Sequence, residues 1–360
     1  MTKVAAMDET TSRILDTLWK QTGRPISIHE LTSEIRESYG TAHYPNIYRK
    51  ILALTKERTI NLTKAGRSSL ANLNFAEYLL IDILTELELK RKHDLLTRSH
   101  ELQILLKDIE ERYEDIRSIE SISAINAERN LKLNRAELLI LMHRSKGDDL
   151  PRKIINIHEI ARELQAMHNI KLDPLILTTN EFLDFLTSDD TNPLREMLSS
   201  KLAFHSPQEF WREIATASAK GKRISLLERE TNPAKISEKD LIFNLARFGY
   251  KEIGLEITEG ERICIEYITT SLMMRENARR IDAIPIILAK SGANYNLLIF
   301  LSQKYGLSAR FFGLLKALDI MRPTKETANA IEILKVLKTK EIRADEKAIA
   351  QRMRLYNAIR

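Results

Sequence analysis

The chain of 360 residues contains one cysteine, Cys264, which excludes an internal disulfide and any cysteine-rich metal cluster. Cys264 stands between Ile263 and Ile265 and reads as a buried structural thiol rather than a nucleophile. No apolar run is long enough to cross a bilayer, and the first residues do not read as a signal peptide, so a cytoplasmic protein without a membrane partner is expected. Glycine and proline are scarce, at 11 and 9 residues, while Lys, Glu, Leu and Ile are plentiful. That balance predicts a mainly α fold with α+β parts. The 56 basic side chains exceed the 50 acidic ones by only six, so any strongly positive surface must be local. What is present is ample: 43% hydrophobic residues for real cores, and length for two or three domains.

The local positive surface lies near the beginning of the chain. Between Thr41 and Leu70 six Lys or Arg stand against one acid, Glu57. Ile14, Leu15, Leu18 and Trp19 give the segment Thr10 to Gln21 a one-face helical pattern. Pro25 to Ile28 reads as a short extended piece, His29 to Ser38 as a second helix ending at Gly40, and Tyr44 to Leu54 as a third, basic helix. Residues 59–73 then alternate apolar and polar around Gly66, a hairpin pattern. Helix, strand, helix, basic helix and hairpin over residues 8–73 resemble the winged helix-turn-helix family of DNA-binding proteins, in an archaeal type. The resemblance implies that the third helix enters the major groove while the wing touches the backbone or minor groove. Asn46, Tyr48, Arg49 and Lys50 are the candidate groove-facing set; Lys56, Arg58, Lys64 and Arg67 are candidates for phosphate contacts. The competing reading is a winged helix used for protein contacts, with an ordinary solvated basic face.

Residues 75–117 read as one long linking helix. Its second half carries Leu102, Leu106, Ile109, Tyr113 and Ile116 at steps of four and three, a coiled-coil rhythm. A helix packed on its own chain and a dimerisation helix, giving a homodimer, are equally compatible with that spacing.

The middle segment changes character. Ile119–Ile125, 136–142 and 171–177 read as buried strands, and 154–168 as a helix between the last two. A helix start capped by Thr179 or Asn180, a helix opened by Asn192-Pro193-Leu194, a short strand 202–207 and a helix from Gln208 follow. Over 118–218 this order resembles the small nucleotidyltransferase domain. The family uses a Gly-Ser pair to hold a nucleotide and three carboxylates, two of them in Asp-x-Asp, to bind divalent metal. Here Asn126-Ala127 stands in place of Gly-Ser and Arg135-Ala136-Glu137 in place of Asp-x-Asp. Glu137 and Asp173 remain as possible ligands, and a positive Arg135 would repel the cations. The resemblance therefore implies the fold without its activity, leaving no catalytic residue, metal or cofactor expected; the alternative is a divergent enzyme using Mg and nucleotide through Glu137 and Asp173. His158, one turn from Arg162, reads as a surface residue, and His168 as the end of a helix.

Lys220-Gly221-Lys222-Arg223 reads as a basic joint, and 237–360 as a helical domain. Within it a helix is expected over 259–290, kinked or split at Pro285, carrying Arg275, Arg279, Arg280 and Lys290 on a solvated or second nucleic-acid face. The sequence thus divides into a winged helix (1–74), a linking or dimerisation helix (75–117), an inactive nucleotidyltransferase-like domain (118–218) and the helical domain. The expected function is duplex-DNA binding, as a transcriptional regulator; a divergent nucleotidyltransferase and an antitoxin or adaptor with a protein partner are the alternatives.

Overall fold

The computed structural model describes residues 7–126, 135–144, 149–199, 201–219, 224, 231–251, 257–275 and 278–359. Ala127, the 220–223 joint and the side chain of Arg279 fall outside them. The described chain is mainly α-helical with two β-sheets, and no described helix is long and apolar enough to cross a membrane.

The first group of elements is α1 (Glu9–Lys20), β1 (Ile26–Ser27), α2 (Ile28–Tyr39), α3 (Tyr44–Lys56), β2 (Ile60–Ala65) and β3 (Ser68–Leu73). Asp8 and Ser27 cap the first two helices by accepting the Thr11 and Glu30 amide hydrogens. Gly40, at φ 81°, ends α2 in a conformation that excludes most side chains. The strands form an antiparallel sheet in the order β1-β3-β2. The hairpin register pairs Ile60 with Leu73 and Ala65 with Ser68 around Gly66 at φ 60°. The three helices bury Ile14, Leu15, Leu18, Leu31, Ile35, Ile47, Ile51 and Leu54 against the sheet residues Ile26, Ile60, Ala71 and Leu73.

The expected single helix over 75–117 is two: α4 (Leu79–Leu96) and α5 (His100–Glu114). The charged stretch 90–94 lies within α4; the break comes at Ser99, whose hydroxyl accepts the Leu102 amide hydrogen and starts a new helix. The heptad-like residues Leu102, Leu106, Ile109, Tyr113 and Ile116 are buried within the chain. The Tyr113 hydroxyl donates to the Ile157 carbonyl at 3.2 Å. Their spacing is accounted for by packing within this chain.

The second sheet runs β6-β5-β4-β7, from β4 (Ile119–Ile125), β5 (Arg135–Met142), β6 (Lys171–Thr178) and β7 (Leu202–His205). β4 and β5 are antiparallel; β5 and β6 are parallel, with α6 (Leu150–His168) between them in the chain. β7 returns antiparallel beside β4. α7 (Thr179–Thr187), α8 (Pro193–Leu198) and α9 (Pro207–Ala219) complete this group. The cap of α7 is Thr178, one residue before the expected pair, in a reciprocal arrangement with Glu181. His158, expected at the surface, is buried under α6, because it shares the inward face of Ile154 and Ala161.

The remaining chain is helical: α10 (Glu238–Arg247), α11 (Ile265–Met274), α12 (Ala278–Ile281), α13 (Ile284–Ser291), α14 (Tyr295–Lys304), α15 (Ser308–Met321), α16 (Lys325–Val336) and α17 (Glu346–Leu355). The expected 259–290 helix is therefore three short ones, with Pro285 in the first turn of α13, where its missing N–H costs nothing. Arg275 and Arg280 share Glu238 as their ion-pair partner, and Lys290 donates to the Gly249 carbonyl. Cys264 is buried, as the sequence suggested.

Buried apolar side chains form one contiguous cluster from Ile14 to Ala358. The amino-terminal group joins the second through α1, α4 and α9. There Trp19 meets Trp211 edge to face with centroids 5.7 Å apart. Lys201, fully buried, points its ammonium at the rings of Trp19, Phe210 and Trp211 at 4.7, 4.3 and 4.4 Å and pairs with the buried Glu88. Burial pushes the Lys201 ammonium down to about 8 despite the opposing pull of Glu88.

Candidate nucleic-acid interface and the Glu137–Asp173 pair

α3 turns Ile47, Ile51 and Leu54 inward and leaves Tyr44, Asn46, Tyr48, Arg49, Leu52 and Lys56 exposed. Its first turn carries no acid, and His43, at the cap position, makes no capping side-chain hydrogen bond. The amide hydrogens there face an exposed, electropositive end. The hairpin from Thr63 to Ser68 is exposed as well, bringing Lys64 and Arg67 to its tip. Arg58 occupies the joint between α3 and β2 at φ 61°, and its carbonyl accepts from the Asn74 side chain at 2.7 Å.

Arg49, Lys56, Arg58, Lys64 and Arg67 are all exposed and have no ion-pair partner among the described residues. Their condition contrasts with Arg13, Lys20 and Arg24 on α1 and the turn after it, which pair with Glu9, Asp16 and Glu30. Lys50 differs from the rest of the expected set: it is half-buried and pairs with Asp8 across the α1 cap. Seven of the eight expected contact residues are thus exposed, and Lys50 is half-buried in its pair with Asp8. Tyr44 and Leu52, which the sequence reading did not select, extend the exposed face of α3. Their spacing of four on either side of Tyr48 was the available signal.

Glu137 and Asp173 come together on neighbouring parallel strands, directly paired in register and almost completely buried. Three cations surround them. Arg135 Nη2 lies 2.7 Å from Asp173 Oδ2 and 3.4 Å from Glu137 Oε1. Lys171 Nζ lies 3.3 Å from Asp173 Oδ2, and Lys304 Nζ 3.5 Å from Glu137 Oε2. These are charge pairs rather than aligned hydrogen bonds, since Glu137 Oε2 and both Asp173 oxygens lack a well-directed donor. Arg135 also donates to the Lys304 carbonyl, and Lys171 to the Gln303 carbonyl, so the carboxyl end of α14 covers the pair. Two carboxylates facing three cations do not fit a divalent ion, which would add further positive charge to an already neutralised, buried group. The residues consequently do not suit Mg and nucleotide. Among the described residues no group of three or more His, Cys, Asp or Glu is arranged to hold a metal.

Comparison with known protein families, with curated proteins and with solved structures finds no match.

Proposed function

We propose that the protein binds double-stranded DNA through α3 and the β2–β3 hairpin, as a transcriptional regulator. The observation that carries this reading is the set of five exposed cations, Arg49, Lys56, Arg58, Lys64 and Arg67, lacking ion-pair partners among the described residues. Phosphates supply the missing counter-charges, and α3 is narrow enough to lie in a major groove. In this reading residues 1–74 act as a winged helix, with Asn46 and Arg49 toward base edges and Lys64 and Arg67 on phosphates. The second sheet, with Glu137 opposite Asp173, serves as a nucleotidyltransferase-like scaffold without its chemistry; the carboxyl-terminal helices brace it.

The test is duplex binding by the full chain across a salt series. Affinity should fall linearly with salt on logarithmic axes, with a slope of about −0.9 per phosphate neutralised. Lys64→Ala and Arg67→Ala should each flatten that slope by about 1, whereas Arg49→Ala should cost about 1–3 kcal/mol on a preferred duplex. Absence of duplex binding, or binding indifferent to all three substitutions, overturns the proposal.

A further inference from the structure

The outer face of α3 carries a feature that phosphate binding does not use. Tyr44, Tyr48 and Leu52 stand four residues apart in one row along the helix and are 43%, 39% and 37% exposed. The rings of Tyr44 and Tyr48 are stacked, with centroids 5.9 Å apart and planes 19° from parallel, and Leu52 follows one turn further along the same row. The row borders the stripe of the same helix that is packed through Ile47, Ile51 and Leu54, and its three side chains stay partly open to solvent. Arg49 and Lys56 are exposed on the same helix, and Lys64 and Arg67 of the following hairpin are exposed with no ion-pair partner among the described residues. This charge pattern complements a polyanion and selects it over an apolar protein surface. On the major-groove floor of a duplex the apolar group available to such a row is the 5-methyl group of thymine.

Resting on the DNA-binding reading above, we propose that Tyr44, Tyr48 and Leu52 read thymine methyl groups, so that the protein selects duplexes with closely spaced thymines. Eight residues of helix cover about 12 Å, or three to four base-pair steps. Arg49, three residues before Leu52 and so beside the row, suits hydrogen bonds to an adjacent guanine.

The experiment uses the full-length protein to enrich duplexes from a random pool. The enriched duplex is then resynthesised with deoxyuridine for thymine, which removes only the methyl groups and leaves charge and pairing intact. Affinity should fall about fourfold for each contacted methyl, with the salt slope unchanged. Tyr48→Ser and Leu52→Ser should bind the thymine duplex more weakly and respond less to the exchange. Equal affinity for the thymine and deoxyuridine duplexes overturns the methyl readout while leaving DNA binding intact. Failure to enrich any duplex overturns both, and assigns the row to a protein partner.

Discussion

His158 sits on the inward face of α6, at i+4 from Ile154 and i−3 from Ala161, and its imidazole Nδ1 has no hydrogen-bond partner. Burial alone pushes the group down to about 4. Its ordinary value in an unfolded chain is about 6.5, so between these two values the unfolded state binds the proton that the folded state refuses. The resulting stability is fully present above pH 6.5 and is lost as pH falls toward 4, by up to roughly 3 kcal/mol. Urea melts at several pH values should show this loss in the wild type, and His158→Leu should give a flatter profile over the same window. Parallel profiles would mean that the imidazole is charged in the folded protein.

At the scale of elements, the short cap at Ser99 decides whether residues 79–114 form one helix or two. Ser99 has an extended backbone, at φ −148° and ψ 108°, and its hydroxyl takes the Leu102 amide hydrogen. Ser99→Ala should therefore destabilise the protein by about 1 kcal/mol in denaturant titration, and Ser99→Asp should restore the loss. A neutral Ser99→Ala variant would show that packing of Leu102, Leu105 and Leu106, not the cap, sets the break. The same segment shows what was legible in the sequence. The spacing of Leu102, Leu106, Ile109 and Tyr113 gave the helix and its apolar face, because periodicity is local. It could not say whether that face meets another copy or α6 of the same chain. The basic helix and hairpin were legible for the same local reason, including the turn at Gly66. The neighbours of Glu137 and Asp173 were only partly so: Arg135 and Lys171 belong to the same two strands, whereas Lys304 reaches the pair from α14, 169 residues beyond Arg135. Lys50 also escaped prediction, because its partner Asp8 lies 42 residues earlier.

The whole molecule is held together at a joint that contains both of its tryptophans. Trp19 comes from α1 and Trp211 from α9, and the buried Lys201–Glu88 pair lies beside them. Glu88 also accepts the Ala203 amide hydrogen at 3.0 Å, tying α4 to β7 at the same point. The buried apolar cluster continues across this joint, so the amino-terminal group and the second sheet are expected to unfold together. Intrinsic tryptophan fluorescence reports the joint, whereas far-ultraviolet circular dichroism reports the helices throughout; in urea the two transitions should coincide. Lys201→Met keeps the ring contacts but leaves the buried Glu88 only the more distant Arg91, at 3.8 Å, as counter-charge, and breaking a buried pair in this way typically costs about 3–5 kcal/mol. That variant should shift the fluorescence midpoint to lower urea, and Lys201→Met combined with Glu88→Gln should recover part of the loss, since the buried charge is then gone. If fluorescence changes well before dichroism in the wild type, the amino-terminal group is a separately folding unit docked on the rest. Undocking would then free its α1–α4 face while α3 kept its own exposed surface.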